Sequence, residues 1–252
     1  MASMQGPQAK LERANEHVAL FESEIRNLIN PASYSVVVES DDVAGKDNWC
    51  FKSPTPFVPL KLSAILGDAL FNFRSALDQI VWQLVLANNK TPDVNNSFPI
   101  FLANEFDTKK GNSLEGISDT AIQIIKSFQP KPGTNCGLLF LPKLNNIDKH
   151  RHLHLFVVYI PSSTAVFDSN VPMSEGDVVE AFSCSYYPLI SGTILFSIPK
   201  KYKPRFFLPR FDIGFCEEIG INKPVLEILK DMSEQIKGIF SVLESEVNKG
   251  KS

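Results

Sequence analysis

The stretch GDALFNFRSALDQIVWQL, residues 67–84, places polar side chains that can do chemistry among large apolar ones. They are Asp68, Asn72, Arg74 and Asp78. A carboxylate can accept a proton, and a guanidinium can hold a phosphate or a carboxylate. If the stretch is helical, Asp68 and Asn72 share one flank, and Arg74 lies four residues before Asp78 on the other. Two interpretations are open: the four groups line a site, or Arg74 pairs with Asp78 while the other two bond to nearby loops.

A second polar cluster lies in NNIDKHRHLHL, residues 145–155. If a strand already includes residue 150, His150, His152 and His154 alternate onto one face. Two imidazoles at a His-x-His spacing can bind one divalent metal, and Asp148 would add a carboxylate. The metal site is the weaker alternative, because no second ligand motif occurs elsewhere in the chain.

The favoured interpretation of this cluster ends a helix near Asp148. His150 and Arg151 then lie in a turn, and the two later histidines lie on the first strand. Asp148, Lys149, His150 and Arg151 form a charged corner in this arrangement, which is either solvated or functional. In the functional case an imidazole able to act as acid or base near neutral pH lies beside cations able to hold an anion.

The elements that must position these groups follow from the hydrophobic periodicity. Helices are predicted over residues 11–28, 61–87, 119–128 with an N-cap at Ser118, 138–148, and 224–247 with a cap at Asn222. Strands are predicted at 34–39 and 49–51, and after residue 150 in HLFVVYI, TAVFD, EAFSCSYY, TILFSI and RFFLPRFDIGF. The central helix has a wide apolar face, and Phe71, Trp82 and Val85 occupy its back, so we expect it to be buried on nearly all sides.

This order of elements predicts an α+β fold with a helical core and a mainly antiparallel, β-rich C-terminal half. We expect residues 1–252 to form a single domain. Its helix-rich part covers about 1–152 and its strand-rich part about 153–220, and a C-terminal helix at about 222–248 packs back.

Composition limits the classes of function. The chain has 252 residues, of which 44% are hydrophobic and 21% charged, so it can bury a core. A net charge of −3 argues against a surface built for non-specific nucleic-acid binding. The four cysteines form no CxxC pair and no signal peptide is recognisable, which predicts a cytoplasmic protein. No apolar run reaches the roughly 18 residues of a membrane helix, so no membrane partner is predicted. Without a P-loop, GxGxxG or GxSxG motif, no cofactor is predicted.

Four motifs in order, GDALFNFRSALDQIVWQL, SFPIF, SFQP and LNNIDKHRHLH, resemble a broad family of uncharacterised bacterial proteins. The family pattern is GDxxHNxRSALDHxxW, then FPI, a QP segment and LxNxDKHRxLH, and the resemblance covers about residues 10–155. That pattern is in turn somewhat similar to HEPN-type helical domains. The resemblance implies a metal-independent ribonuclease or a nucleotide-binding unit of a toxin or defence system. In this chain Gln79 and Phe71 occupy the two histidine positions of the pattern, and glutamine cannot shuttle a proton.

Two functions of different class follow. The first is a HEPN-like protein that binds or cleaves RNA or a nucleotide. Its catalytic residues would be Arg74, His150 and Asp78, and its ligand-binding residues Asp68, Asn72, Lys149 and Arg151. The second is a non-enzymatic ligand-binding or protein-interaction protein in which the polar cluster is a structural network. The sequence leaves open whether the protein is an enzyme and which oligomeric state it adopts, a homodimer included.

Overall fold

A computed structural model describes residues 2–29, 34–53, 58–134, 136–167, 180–181, 189–202, 204–215 and 223–249. The chain divides into two compact units. The helical unit consists of Met1–Glu22, Ser63–Leu153 and Leu226–Ser252, and the strand unit of Ser23–Leu62 and His154–Val225. The division after Leu153 falls where the sequence pattern changes from helical to extended.

The described residues form helices α1 (Gln5–Leu28), α2 (Leu60–Ala87), α3 (Phe106–Lys109), α4 (Asp119–Ser127), α5 (Gly137–His150) and α6 (Val225–Lys249). Together with the antiparallel sheets of the strand unit, they confirm the α+β class. The hydroxyl of Ser118 accepts a hydrogen bond from the Ala121 N–H at 3.3 Å and caps α4 as predicted. Within the described ranges, no helix combines the length and the apolar character that a bilayer crossing requires.

Helix α2 supplies much of the core of the helical unit. Leu66, Leu70, Phe73 and Leu77 recur at three- and four-residue steps on its apolar face and are fully buried. The expectation that α2 is buried on nearly all sides is wrong at two positions. Phe71 is 52% exposed and Trp82 is 42% exposed, whereas Val85 is fully buried. One stripe of α2 therefore faces solvent with two large aromatic side chains on it.

The strand unit contains β1 (Ser35–Asp41), β2 (Lys46–Lys52), β3 (Leu155–Phe167), β4 (Glu180–Ala181), β5 (Ile194–Pro199) and β6 (Pro204–Phe215). One sheet has the order β1-β2-β5-β4, and β3 pairs with β6 in a second. Every one of these described pairings is antiparallel. The unit's core is a cluster of Phe51, Leu195, Phe196, Ile198 and Tyr202.

Three predictions for this part of the chain need correction or remain outside the described residues. The two strands predicted in HLFVVYI and TAVFD are parts of one strand, Leu155–Phe167, because a register shift between Ile160 and Thr164 accommodates the intervening Pro-Ser-Ser within the ladder. β3 begins at Leu155, so the placement of His152 and His154 on a strand is wrong. Most of EAFSCSYY and the predicted cap Asn222 lie outside the described residues.

Two glycines allow α5 to approach its neighbours closely. A Cβ on Gly67 of α2 would lie 2.4 Å from both carboxylate oxygens of Asp148, well inside contact distance. A Cβ on Gly137 would lie 2.7 Å from the Ile228 carbonyl oxygen of α6. The Gly137 N–H donates to Asp231 Oδ2 at 2.6 Å, so a carboxylate of α6 binds the start of α5, whose own N-cap residue makes no side-chain bond.

A glycine-to-alanine change within a helix usually stabilises a protein. The close contact at Gly67 predicts the opposite effect at this position. Gly67→Ala should lower the free energy of unfolding by about 1–3 kcal/mol, because the Asp148 carboxylate must move away from α2 to make room for the new methyl group. The matched control is Gly238→Ala in α6, where the nearest atom to the new Cβ would be Phe128 Cε1 at 3.8 Å. That change should stabilise by up to about 1 kcal/mol through helix propensity. Urea unfolding measures both, and equal effects at the two positions would contradict the prediction.

Candidate functional site

A cavity of about 270 Å³ opens on the solvent-facing stripe of α2. Six side chains of α2 line it at helical spacing, with three more from the loop after α2 and from α5: Phe71, Arg74, Ser75, Asp78, Gln79, Trp82, Asn96, Asn145 and Lys149. All nine belong to the helical unit. Two aromatic rings, two cations and several amide or hydroxyl groups therefore share one small concave surface.

Arg74 and Asp78 form a bidentate pair in this cavity, as one of the two interpretations of the sequence predicted. Arg74 Nε donates to Asp78 Oδ2 at 2.9 Å, and its terminal nitrogen donates to Asp78 Oδ1 at 2.6 Å. Asp78 Oδ1 also accepts from the backbone N–H of Phe98 at 2.8 Å. Three bonds thus hold the carboxylate, and the carboxylate fixes the direction of the guanidinium. The other N–H groups of Arg74 have no partner among the residues that the structure describes.

The second part of that interpretation, hydrogen bonds from Asn72 and Asp68 to nearby loops, is not observed among the described residues. Asn72 donates to the Asp68 carbonyl of its own helix at 2.8 Å and accepts from Lys10 of α1 at 3.3 Å. Lys10 Nζ also lies 5.5 Å from the centre of the Phe71 ring, a cation–π distance. Asn72 is buried by α1, and neither it nor the exposed Asp68 lines the cavity.

The charged corner lies at the end of α5, and its members have different surroundings. Lys149 lines the cavity, and no hydrogen bond or ion pair to it occurs in the described part of the chain. His150 is the last residue of the helix and Arg151 its C-cap; both are exposed, and neither lines the cavity. Of the predicted site residues, the cavity therefore brings together Arg74, Asp78 and Lys149.

Asp148 packs against Gly67 on α2, away from the cavity lining. Burial and the nearby carboxylate of Asp68 raise the pKa of Asp148 above its ordinary value, and the charge of His152 opposes that change. Just beyond, the hydroxyl of Ser63 donates to the Leu153 carbonyl at 2.7 Å and ties the chain after α5 to α2. The end of α5 thus contacts α2 through Asp148, and the chain just after α5 is bonded to α2 through Leu153.

The weaker alternative of a metal site finds no support in the geometry. Over the residues that the structure describes, which include Asp148, His152 and His154, no three His, Cys, Asp or Glu side chains group closely enough to hold a metal ion. His152 acts on Asp148 through its charge alone.

Sequence reasoning missed several lining residues, of which Asn145 is the most informative. Its side chain is 5% exposed, it lines the cavity, and no hydrogen bond to it occurs among the described residues. Asn145 lies one turn before Lys149 on the same face of α5, a spacing visible in the NNIDK segment. Phe71 and Trp82 were read as core, although with Arg74 and Asp78 they follow one helical stripe.

The chain matches no protein-family model, no curated protein and no solved structure.

The raised pKa of Asp148 predicts the pH dependence of stability. Between the ordinary pKa of 3.8 and the raised value, the folded protein binds more protons than the unfolded chain, so stability falls as pH rises through that window. Asp148→Asn should therefore raise the melting temperature at pH 7 and change it little below pH 3.8. Thermal unfolding of the wild-type protein and of Asp148→Asn over a range of pH measures the difference between their melting temperatures. Asp68→Asn removes the repulsion between the carboxylates of Asp68 and Asp148, so it should narrow the pH range over which stability falls. An effect of Asp148→Asn that does not change with pH would contradict the raised pKa of Asp148.

Proposed function

We propose that the helical unit binds a nucleotide, either free or at the end of an RNA chain, in the cavity on α2, and that it does so without cleaving it. The observation that carries this proposal is the exposure of Phe71 and Trp82 beside Arg74 and Lys149. Large aromatic side chains that face solvent next to cations are suited to stack a base and hold its phosphate.

The charge balance of the cavity favours an anionic ligand. Arg74 and Asp78 neutralise each other, and Lys149 adds a positive charge that no described residue neutralises. The ammonium of Lys10, which lies 5.5 Å from the centre of the Phe71 ring, adds another positive charge next to a lining residue. A phosphate bound between Lys149 and the unused N–H groups of Arg74 would satisfy donors that are otherwise left to water.

Binding is favoured over cleavage because the described lining of the cavity contains no histidine and its carboxylate is already engaged. Asp78 is held by three hydrogen bonds, and Gln79 donates to Ser75 Oγ at 3.3 Å. General acid–base catalysis needs a titrating group within reach of the reacting atoms, and His150 does not line the cavity. The HEPN-like resemblance is compatible with such a nucleotide-binding unit, and Gln79 in place of histidine removes the proton-transfer group of its nuclease form.

Lys149→Ala tests the binding proposal. We expect the variant to bind a nucleoside monophosphate about 10–100-fold more weakly, because it loses a charge-assisted contact with the phosphate worth about 1.5–3 kcal/mol. Isothermal titration calorimetry measures the dissociation constants. Lys149 makes no bond within the described structure, so the melting temperature should not change.

The matched control is Lys237→Ala, which removes an exposed lysine paired with Glu234 on α6. This control should leave the affinity unchanged. If the wild-type protein fails to bind any nucleoside monophosphate at about 1 mM, the proposal is overturned. Self-association that is lost in Trp82→Ala would favour the protein-interaction alternative instead, with the aromatic stripe as its contact surface.

Incubation with single-stranded RNA separates binding from cleavage. We expect the RNA to bind and to remain intact, with or without EDTA, because three hydrogen bonds hold the Asp78 carboxylate and His150 does not line the cavity. Gel electrophoresis of the RNA provides the measurement. Cleavage that persists in EDTA and disappears in His150→Ala would instead establish the nuclease function and the catalytic role of His150.

A further inference from the structure

Most polar groups that line the cavity already have partners. Asn96 donates to the Glu115 carbonyl at 3.0 Å and accepts from the Asp93 N–H at 2.8 Å, so both ends of its amide are engaged. The amide nitrogen of Gln79 donates to Ser75 Oγ. These bonds hold the α2 stripe and the following loop in place, and they leave little capacity for a ligand.

Asn145 is different. It is nine-tenths buried, its amide has neither donor nor acceptor partner among the described residues, and it lines the cavity. Its amide atoms are not among the fully enclosed polar atoms of the described residues, so they face the open space of the cavity, where water or a ligand can bond to them. The position of Asn145 in the cavity wall makes a ligand with a complementary polar edge the chemical match.

A carboxamide presents one donor and one acceptor side by side. On the N7 side of the purines, adenine offers the matching pair, the N6 amino group and N7, whereas guanine offers two acceptors, O6 and N7. Asparagine binds adenine in this bidentate way in nucleic-acid complexes. A purine also covers more of the Trp82 ring than a pyrimidine does, and stacking contributes about 1–3 kcal/mol per base.

We infer that Asn145 selects adenine as the base of the bound nucleotide, an inference that rests on the proposed nucleotide site. Asn145 and Lys149 lie one turn apart on α5, which separates them by about 6 Å along the helix axis. This separation allows the amide to bind the base edge while the ammonium binds the phosphate of the same nucleotide. Trp82 and Phe71 then provide the apolar wall against which the base stacks.

Calorimetric titration of the wild-type protein with AMP, GMP, CMP and UMP tests the inference. We expect AMP to bind at least about fivefold more tightly than the others, since a bidentate base contact discriminates by about 1–3 kcal/mol. Two analogues probe the two contacts separately: purine riboside monophosphate lacks the 6-amino group, and 7-deaza-AMP lacks the N7 acceptor. Each should bind at least about fivefold more weakly than AMP.

Asn145→Leu, which keeps the size of the side chain and removes its polar groups, should bring the four affinities within about twofold of one another. The matched control is Asn146→Leu, because the neighbouring Asn146 is exposed and does not line the cavity. That change should preserve the preference for AMP.

The outcomes distinguish the inference from the proposed function. Equal binding of all four nucleotides, or full affinity for either analogue, overturns the role of Asn145 while the nucleotide site stands. A preference for AMP that survives Asn145→Leu overturns that role as well. If no nucleotide binds, the proposed function itself is overturned. The analogue measurements use the wild-type protein, so the test remains decisive even if Asn145→Leu fails to fold.

Discussion

The carboxylate of Asp78 is the constraint on which the candidate site depends. It accepts two hydrogen bonds from Arg74 and one from the Phe98 backbone, so it fixes both a side chain of its own helix and the segment that follows α2. The same segment is held from its other side, where Gln129 accepts from the Phe101 N–H and donates to the Pro99 carbonyl. The SFPIF and SFQP stretches are therefore joined by hydrogen bonds, and they tie down the chain directly after Asn96, which lines the cavity.

The part of the cavity lining that belongs to α5 depends on the close approach of this helix to its neighbours. Gly67 lets the Asp148 carboxylate lie against α2, and Asp231 binds the start of α5. Between these two contacts α5 presents Asn145, and directly after Asp148 it presents Lys149. The polar groups of both side chains have no partner in the described structure. The lining groups of α2 and of the loop after it thus mostly have hydrogen-bond partners, whereas the lining groups of α5 have none among the described residues. Such a division supports the proposed binding, because groups already held by hydrogen bonds need little further ordering while the available groups can contact a ligand.

The sequence predicted the positions of the helices better than it predicted which of their side chains are exposed. The bounds of α2 and the Ser118 cap follow from periodicity and capping, which are local signals. The exposure of Phe71 and Trp82 was not predictable from their types, since an aromatic residue on a mostly apolar helix is usually core. The importance of Asn145 was hidden for a related reason, because its unpaired state depends on what packs around it and not on its neighbours in sequence.

The histidines show how strongly chemical types can mislead when position is unknown. Three of them in five residues suggested a metal or an acid–base centre, yet α5 ends at His150, and Asp148 and Lys149 occupy the faces that contact α2 and the cavity. On a helix, neighbouring residues differ by about 100° in direction, so Lys149 can line a cavity while His150 faces solvent. The ammonium of Lys149 is a donor suited to an anionic ligand, as the proposed function requires. A helix that turns its lysine and asparagine toward the aromatic stripe, and its histidine away, supports the proposal of nucleotide binding more than that of nucleotide cleavage.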